Sequence, residues 1–209
     1  SESNLQTLGG DQLILELPGE QNPLAASRVL GKTALLEFRT QKAGTSKDLK
    51  SLQLQRLNIK ELIEQYSSLE KSQYDDNFLK IIEDDLQEIQ QVLNYSFTSD
   101  DLYENLIEIK KYVETEITNL FIKTDLSGKD LINAGRRQEQ TNSNWEVLLT
   151  FSNSGGEKFA EITKSIAGTD QLLAIILDGE SISEAGVGSQ FANTGITGGS
   201  ATISGNFSA

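Results

Sequence analysis

Between Ser46 and Ile122 the chain has neither glycine nor proline, although it carries 17 glycines and 2 prolines elsewhere. Leu, Ile, Glu, Lys, Asp and Gln dominate this stretch. They are largely good helix formers or surface polar residues, and nothing among them punctuates the backbone. The stretch is therefore predicted to be a helical block, and apolar periodicity divides it into three helices. The third is the clearest, with Leu102, Leu106, Ile109, Val113, Ile117 and Leu120 on one stripe after an N-cap cluster at Thr98-Ser99-Asp100-Asp101. The second runs from about Asp75 to Asn94 and aligns Phe78, Ile82, Leu86, Ile89 and Leu93. The first, from about Ser46 to Lys71, aligns Leu52, Ile59, Ile63 and Tyr66 and leaves Leu54 and Leu57 out of phase. At about 1.5 Å per residue the first and third would each be on the order of 35 Å long, enough for a projecting three-helix bundle.

The flanks read differently. Leu13, Leu15 and Leu17 alternate with Ile14 and Glu16, the period of a strand, over residues 11–17. Pro23 suits the first turn of a short helix that Gly31 ends, and a strand follows at Thr33 to Arg39. After the helical block, Trp145, Val147, Leu149 and Phe151 mark a strand over 145–151. Ser154-Gly155-Gly156 then opens a helix with Phe159, Ile162, Thr163 and Ile166 on one side. Leu172 to Leu177 is apolar on both faces, as expected at the centre of a sheet. The order β-α-β-β-α-β predicts an α+β fold: a ferredoxin-like base at 8–44 and 124–209, with an inserted three-helix head at 45–123. A late strand is expected at Ala201-Thr202-Ile203-Ser204 in a tail rich in Gly, Ser, Thr and Ala.

Eighteen Lys plus Arg against 31 Asp plus Glu give a net charge of −13, which repels phosphate backbones and anionic lipid headgroups, so no nucleic-acid partner is expected. Cys, His and Met are absent, which removes thiolate nucleophiles, disulfides and any imidazole base or ligand. The longest apolar run, Leu172 to Leu177, falls far short of the roughly 18 residues needed to span a bilayer. Membrane attachment is thus expected only through segments outside this chain. Gly31-Lys32-Thr33 lacks the glycine that a phosphate-binding loop needs five residues earlier, where Ala26 stands, and precedes a predicted strand instead of a helix. Gly186-Val187-Gly188 lacks the third glycine and the strand–helix setting of a dinucleotide fingerprint. Asp75-Asp76, Glu83-Asp84-Asp85 and Asp100-Asp101 lack the spacing of a calcium loop and read as solvated faces and N-caps. No catalytic residue, cofactor or metal site is predicted. A hydrolase working through Arg39 and a nearby Asn would lack an anion-binding loop.

Leu54 and Leu57, with Tyr103 and Ile107 flanking the stripe of the third helix, form a candidate surface for an extended or unfolded polypeptide. The opposing reading breaks the first helix near Gln55-Arg56 and turns both leucines inward.

Gly10-Asp11-Gln12-Leu13-Ile14-Leu15-Glu16-Leu17-Pro18-Gly19, then Leu30-Gly31-Lys32-Thr33-Ala34-Leu35-Leu36-Glu37-Phe38-Arg39, resembles the start of the first large extracytoplasmic domain of SecD, a protein-export membrane subunit. The family's order continues through Leu126-Ser127-Gly128-Lys129-Asp130-Leu131, Phe159 with Thr163, Leu173-Ala174-Ile175-Ile176-Leu177-Asp178-Gly179, and Gly198 to Phe207. The resemblance covers about residues 8–42 and 124–209. It departs at Ser183-Glu184-Ala185, where the family has Ser-Ala-Pro, and it leaves the helical block unmatched.

The resemblance implies a ferredoxin-like base with a mobile head, on the periplasmic or thylakoid-lumen face between the first two membrane helices of a translocase accessory. It implies work with SecF and the SecY channel complex, using the proton gradient to pull or release preproteins. The head would capture and release the emerging chain, hinged on Ala43-Gly44-Thr45 and Asp125-Leu126-Ser127-Gly128, where Gly44 and Gly128 permit large φ/ψ changes. The alternative is a docking module for a folded partner of the export machinery, without direct substrate contact.

Overall fold

Local patterning and long-range pairing divide the work of building this chain. The computed structural model describes residues 13–16, 36–68, 75–97, 99, 101–138 and 145–207, leaving out the side chains of 13–16, 136–138, 145–146 and 203–207. In chain order the elements are β1 (Leu13–Glu16), β2 (Leu36–Gln41), α1 (Ser46–Ser68), α2 (Asp76–Leu93), α3 (Leu102–Asn119), β3 (Phe121–Ser127), a 3-10 turn at Gly128–Asp130 and β4 (Leu131–Gln138). They continue with β5 (Trp145–Phe151), α4 (Asn153–Ile166), β6 (Leu172–Leu177), β7 (Glu180–Gly186), a 3-10 turn at Ser189–Phe191 and β8 (Ser200–Phe207). The chain divides into two compact units: Ser1–Ser46 with Leu120–Ala209, and Lys47–Asn119.

The first unit holds two four-stranded sheets. One has the order β1-β8-β5-β4, parallel between β1 and β8 and antiparallel elsewhere; the other, β3-β2-β6-β7, is antiparallel throughout. This corrects the ferredoxin-like expectation. The strands expected to share one βαββαβ sheet are split, with β1 and β5 in the first sheet and β2 and β6 in the second. β2 pairs with β6 on one side and with β3 on the other, and the sequence reading contained no β3. β3, β4 and β7 were all missed, and all three are edge strands. An edge strand is held by backbone hydrogen bonds along one side and needs no continuous apolar face. Thus β3, Phe-Ile-Lys-Thr-Asp-Leu-Ser, buries only Phe121 and Leu126. By contrast β6 sits inside its sheet with Leu173 to Ile176 buried, as its two apolar faces predict. The expected helix after Pro23 and the Gly31-Lys32-Thr33 turn lie outside the described residues.

One core joins both sheets to α4. Phe38 of β2 meets Phe151 of β5 edge-on at 5.6 Å, and Phe151 stacks on Phe159 of α4 at 4.9 Å. β6 and β7 are connected by Asp178-Gly179, both at positive φ (51° and 90°), the two-residue turn whose twist suits a hairpin. Ser152 caps α4 by accepting from Gly155 N–H at 3.1 Å. Just before β4, Asp130 accepts from Lys158 Nζ (2.7 Å) and from Ser127 N–H (2.9 Å). Burial pushes the Asp130 carboxyl up, but these donors and the Lys158 charge outweigh it and hold the group below its ordinary value of 3.8.

Candidate polypeptide-binding surface

In the second unit the starts of α2 and α3 carry caps written in the sequence. Asp75 accepts from Phe78 N–H at 2.7 Å, and Asp101 accepts from Glu104 N–H at 2.9 Å. Thr98 and Asp100 of the expected cap cluster lie outside the described residues. α2 ends on Asn94 in the left-handed region (φ 49°), with Tyr95 N–H returning to Gln90 O at 3.0 Å. Tyr95 then anchors the connection to α3: its ring lies 4.6 Å from that of Tyr112, and its hydroxyl donates to Glu108. That carboxylate, aided by burial, pushes the phenol up to about 12.

The expected stripes of α2 and α3 are buried at Ile82, Leu86 and Ile89, and at Leu106, Ile109, Val113 and Ile117. α1 differs. It buries Leu49, Gln55, Ile59 and Leu62, whereas Leu52, Ile63 and Tyr66 are half-buried. Arg56 reaches Glu114 of α3 at 3.8 Å, and Tyr66 stacks on Tyr103 at 5.5 Å.

α1 runs unbroken past Gln55-Arg56, so the reading in which a break turns Leu54 and Leu57 inward is overturned. Leu54 is 55% and Leu57 43% exposed, on the helix face away from Ile59 and Leu62. Tyr103 (41%) and Ile107 (43%) are also exposed on α3. Two more apolar residues, Ile81 and Val92, stand out from α2. The sequence reading passed over them, although they fall off the α2 stripe in the same way that Leu54 falls off that of α1.

Gly44 lies in the turn between β2 and α1 at φ +79°, with nothing within 4 Å of where a Cβ would stand. Gly128 is placed differently from the expectation. It opens the 3-10 turn between β3 and β4, inside the sheet-bearing unit, whereas the chain re-enters that unit at Leu120. Arg39 donates twice to Glu37 Oε2, at 2.6 and 2.9 Å, and Glu37 also receives Lys123. The hydrogen bond from Lys123, with help from Arg39, holds the Glu37 carboxyl below its ordinary value against the effect of burial. Among the described residues, no group of three or more Asp or Glu is placed to hold a metal ion, and no helix is long and apolar enough to cross a membrane.

Two family descriptions match the chain: "SecDF, P1 head subdomain" over residues 106–209 and "Protein translocase subunit SecDF, P1 domain, N-terminal" over residues 1–43. The part described as head in that family thus takes in α3 from Leu106 onward and the strands β3 to β8. It overlaps the helical block read as a head from sequence only at 106–123. Protein translocase subunit SecD of Prochlorococcus marinus is 52% identical over all of this chain, and that of Synechocystis sp. is 38% identical over 99% of it. The helical block therefore lies within the matched length of both relatives. The chain spans 42% and 39% of their lengths. Two solved structures are similar at a TM-score of 0.41. One, "Structure and function of a membrane component SecDF that enhances protein export", is 22% identical and is matched over 98% of this chain and 70% of its own. The other, "Crystal structure of SecDF in Super-membrane-facing form", is 21% identical and is matched over 85% and 17%. Both likenesses are loose, and the assignment rests on the sequence matches. The two family descriptions and the full-length match to cyanobacterial SecD agree, and this chain belongs to the SecD family of protein translocase subunits, of which it carries the P1 domain.

Proposed function

We propose that this P1 domain holds and releases a polypeptide as it emerges from the translocation channel, with the helical unit as the gripping part. The observation that supports this is the placing of exposed large apolar residues. Among the described residues, Leu54, Leu57, Ile81, Val92, Tyr103 and Ile107 belong to the helical unit, and only Ile122 and Ile132 to the sheets. An unfolded chain offers side chains that such a surface can bury. In this reading the domain faces the periplasm or a thylakoid lumen. SecF and the SecY channel complex are partners of the full-length protein, and the proton gradient is consumed in membrane segments beyond this chain. Release follows from movement of the helical unit about its two connections, at Gly44–Ser46 and at Asn119–Leu120. The free space around Gly44 favours a hinge on the first, and Gly128 falls outside both.

The test places a photo-crosslinker at Leu57 or at Ile132 and stalls a preprotein during export. Adducts at position 57 are expected; adducts only at position 132 would reject the helical unit as the grip. A second test measures affinity for an unfolded peptide after Leu54→Asp with Leu57→Asp. Burying a whole leucine is worth about 1.5–3 kcal/mol, and the two residues together leave roughly one leucine's worth of surface open, so the loss is roughly tenfold to a hundredfold. Unchanged affinity would remove these residues from the site.

A further inference from the structure

An open cleft of about 230 Å³ lies between α1 and α2. We infer that it receives a lysine or arginine side chain of the held polypeptide, an inference that rests on the capture reading and gives it a preference for basic segments. Glu61 from α1 and Asp85 and Glu88 from α2 line the cleft, and neither a lysine nor an arginine is among its lining residues. Asp85 belongs to the acidic run that sequence alone read as a solvated face. These carboxylates do not converge on a point that would suit a metal ion, so they present a charged trough to an elongated cation.

The same cleft has an apolar wall of Leu62, Ile89 and Val92, of which Val92 stands exposed. A methylene stem ending in a charge matches that pairing, because the stem covers apolar surface while the head seeks carboxylates. Gln55 supplies a separate pointer. It lines the cleft, is only 7% exposed, and its Oε1 is buried with no hydrogen-bond partner. A buried acceptor left unpaired is costly, and turning the amide toward the cleft would let an N–H of the bound cation satisfy it. Charge complementarity selects the occupant further: a chain of net charge −13 disfavours acidic segments at every approach.

The experiment uses the 209-residue chain and a set of unstructured, fluorescent peptides of equal length and apolar content, carrying Lys, Gln or Glu at the same positions. The expected affinity order by anisotropy is Lys, then Gln, then Glu, with the Lys preference about fivefold at low salt and fading as salt is added. Glu61→Gln with Glu88→Gln should bring the Lys-to-Gln ratio toward one, with circular dichroism confirming the fold. Gln55→Met should lower that ratio while raising the melting temperature, a pairing that a purely structural glutamine would not produce. If the chain binds all the peptides equally, or keeps its Lys preference in the double variant, the cleft assignment is overturned and capture itself stands. Failure to bind any of them overturns both.

Discussion

Thr163 is the residue at which a sequence signature acquires a physical purpose. It is fully buried on α4; its hydroxyl donates back to Phe159 O at 2.7 Å, and its Oγ1 accepts from the equally buried Ile196 N–H at 2.9 Å. One side chain thereby ties the segment between β7 and β8 to the helix. Thr163→Val keeps the shape and removes the acceptor, stranding the Ile196 N–H. A buried donor without a partner costs about 1–3 kcal/mol, and the added methyl group returns up to about 0.8 kcal/mol. A net loss of about 1–2 kcal/mol corresponds, at ordinary urea sensitivities, to a midpoint lower by roughly 0.5–1 M. Urea unfolding followed through Trp145, the one tryptophan of the chain and a residue of β5, reports on the sheet-bearing unit. Amide exchange supplies the specific readout: Ile196 N–H should exchange faster in Thr163→Val and stay protected in Thr163→Ser, which keeps the acceptor. A valine variant with an unshifted midpoint and a slowly exchanging Ile196 would refute this account of the hydroxyl.

Two further outcomes follow from the same unit. Gly195 sits at φ +68°, and a Cβ there would stand 1.8 Å from Ala160 O, whereas Gly179 at φ +90° has nothing within 4 Å. Gly195→Ala should therefore lower the melting temperature well beyond Gly179→Ala, which adds only backbone strain of about 1 kcal/mol; equal effects would show that the loop yields freely. Asp130 has its folded pKa below the ordinary 3.8, so its ion pair contributes stability above that value and loses it as pH falls through the folded pKa. The melting curves of wild type and Asp130→Asn should lie apart near neutrality and converge in acid, and a gap independent of pH would refute the linkage.

α2 and α3 were legible because each carries its own punctuation. Asp75 and Asp101 cap where the pattern places them, and the apolar repeats of α2 and α3 mark their buried faces. On α1 the pattern misled, since Gln55 is buried in place of a fully buried Leu52 or Ile63. A long amide can fill a helix interface at the cost of an unpaired oxygen, and no apolar count registers it. The candidate surface was half legible: Leu54 and Leu57 stood out of phase, but only an unbroken α1 turns them outward. Of the acids in the α1–α2 cleft only Asp85 was visible in a run, and its meeting with Glu61 depends on how two helices pack.

What the sequence by itself determined is what repeats over a few residues. The helical block without glycine or proline and the doubly apolar β6 are both of this kind. Such features follow from spacings and backbone preferences that neighbouring residues settle among themselves. Only the tertiary structure decided that β1 and β5 belong to one sheet and β2 and β6 to another, and that β3, β4 and β7 complete their edges. Strand pairing joins backbone N–H and C=O groups, which every residue but proline carries alike. A polar edge strand therefore leaves little trace in side-chain order, and its place is fixed by the partner whose open edge it closes.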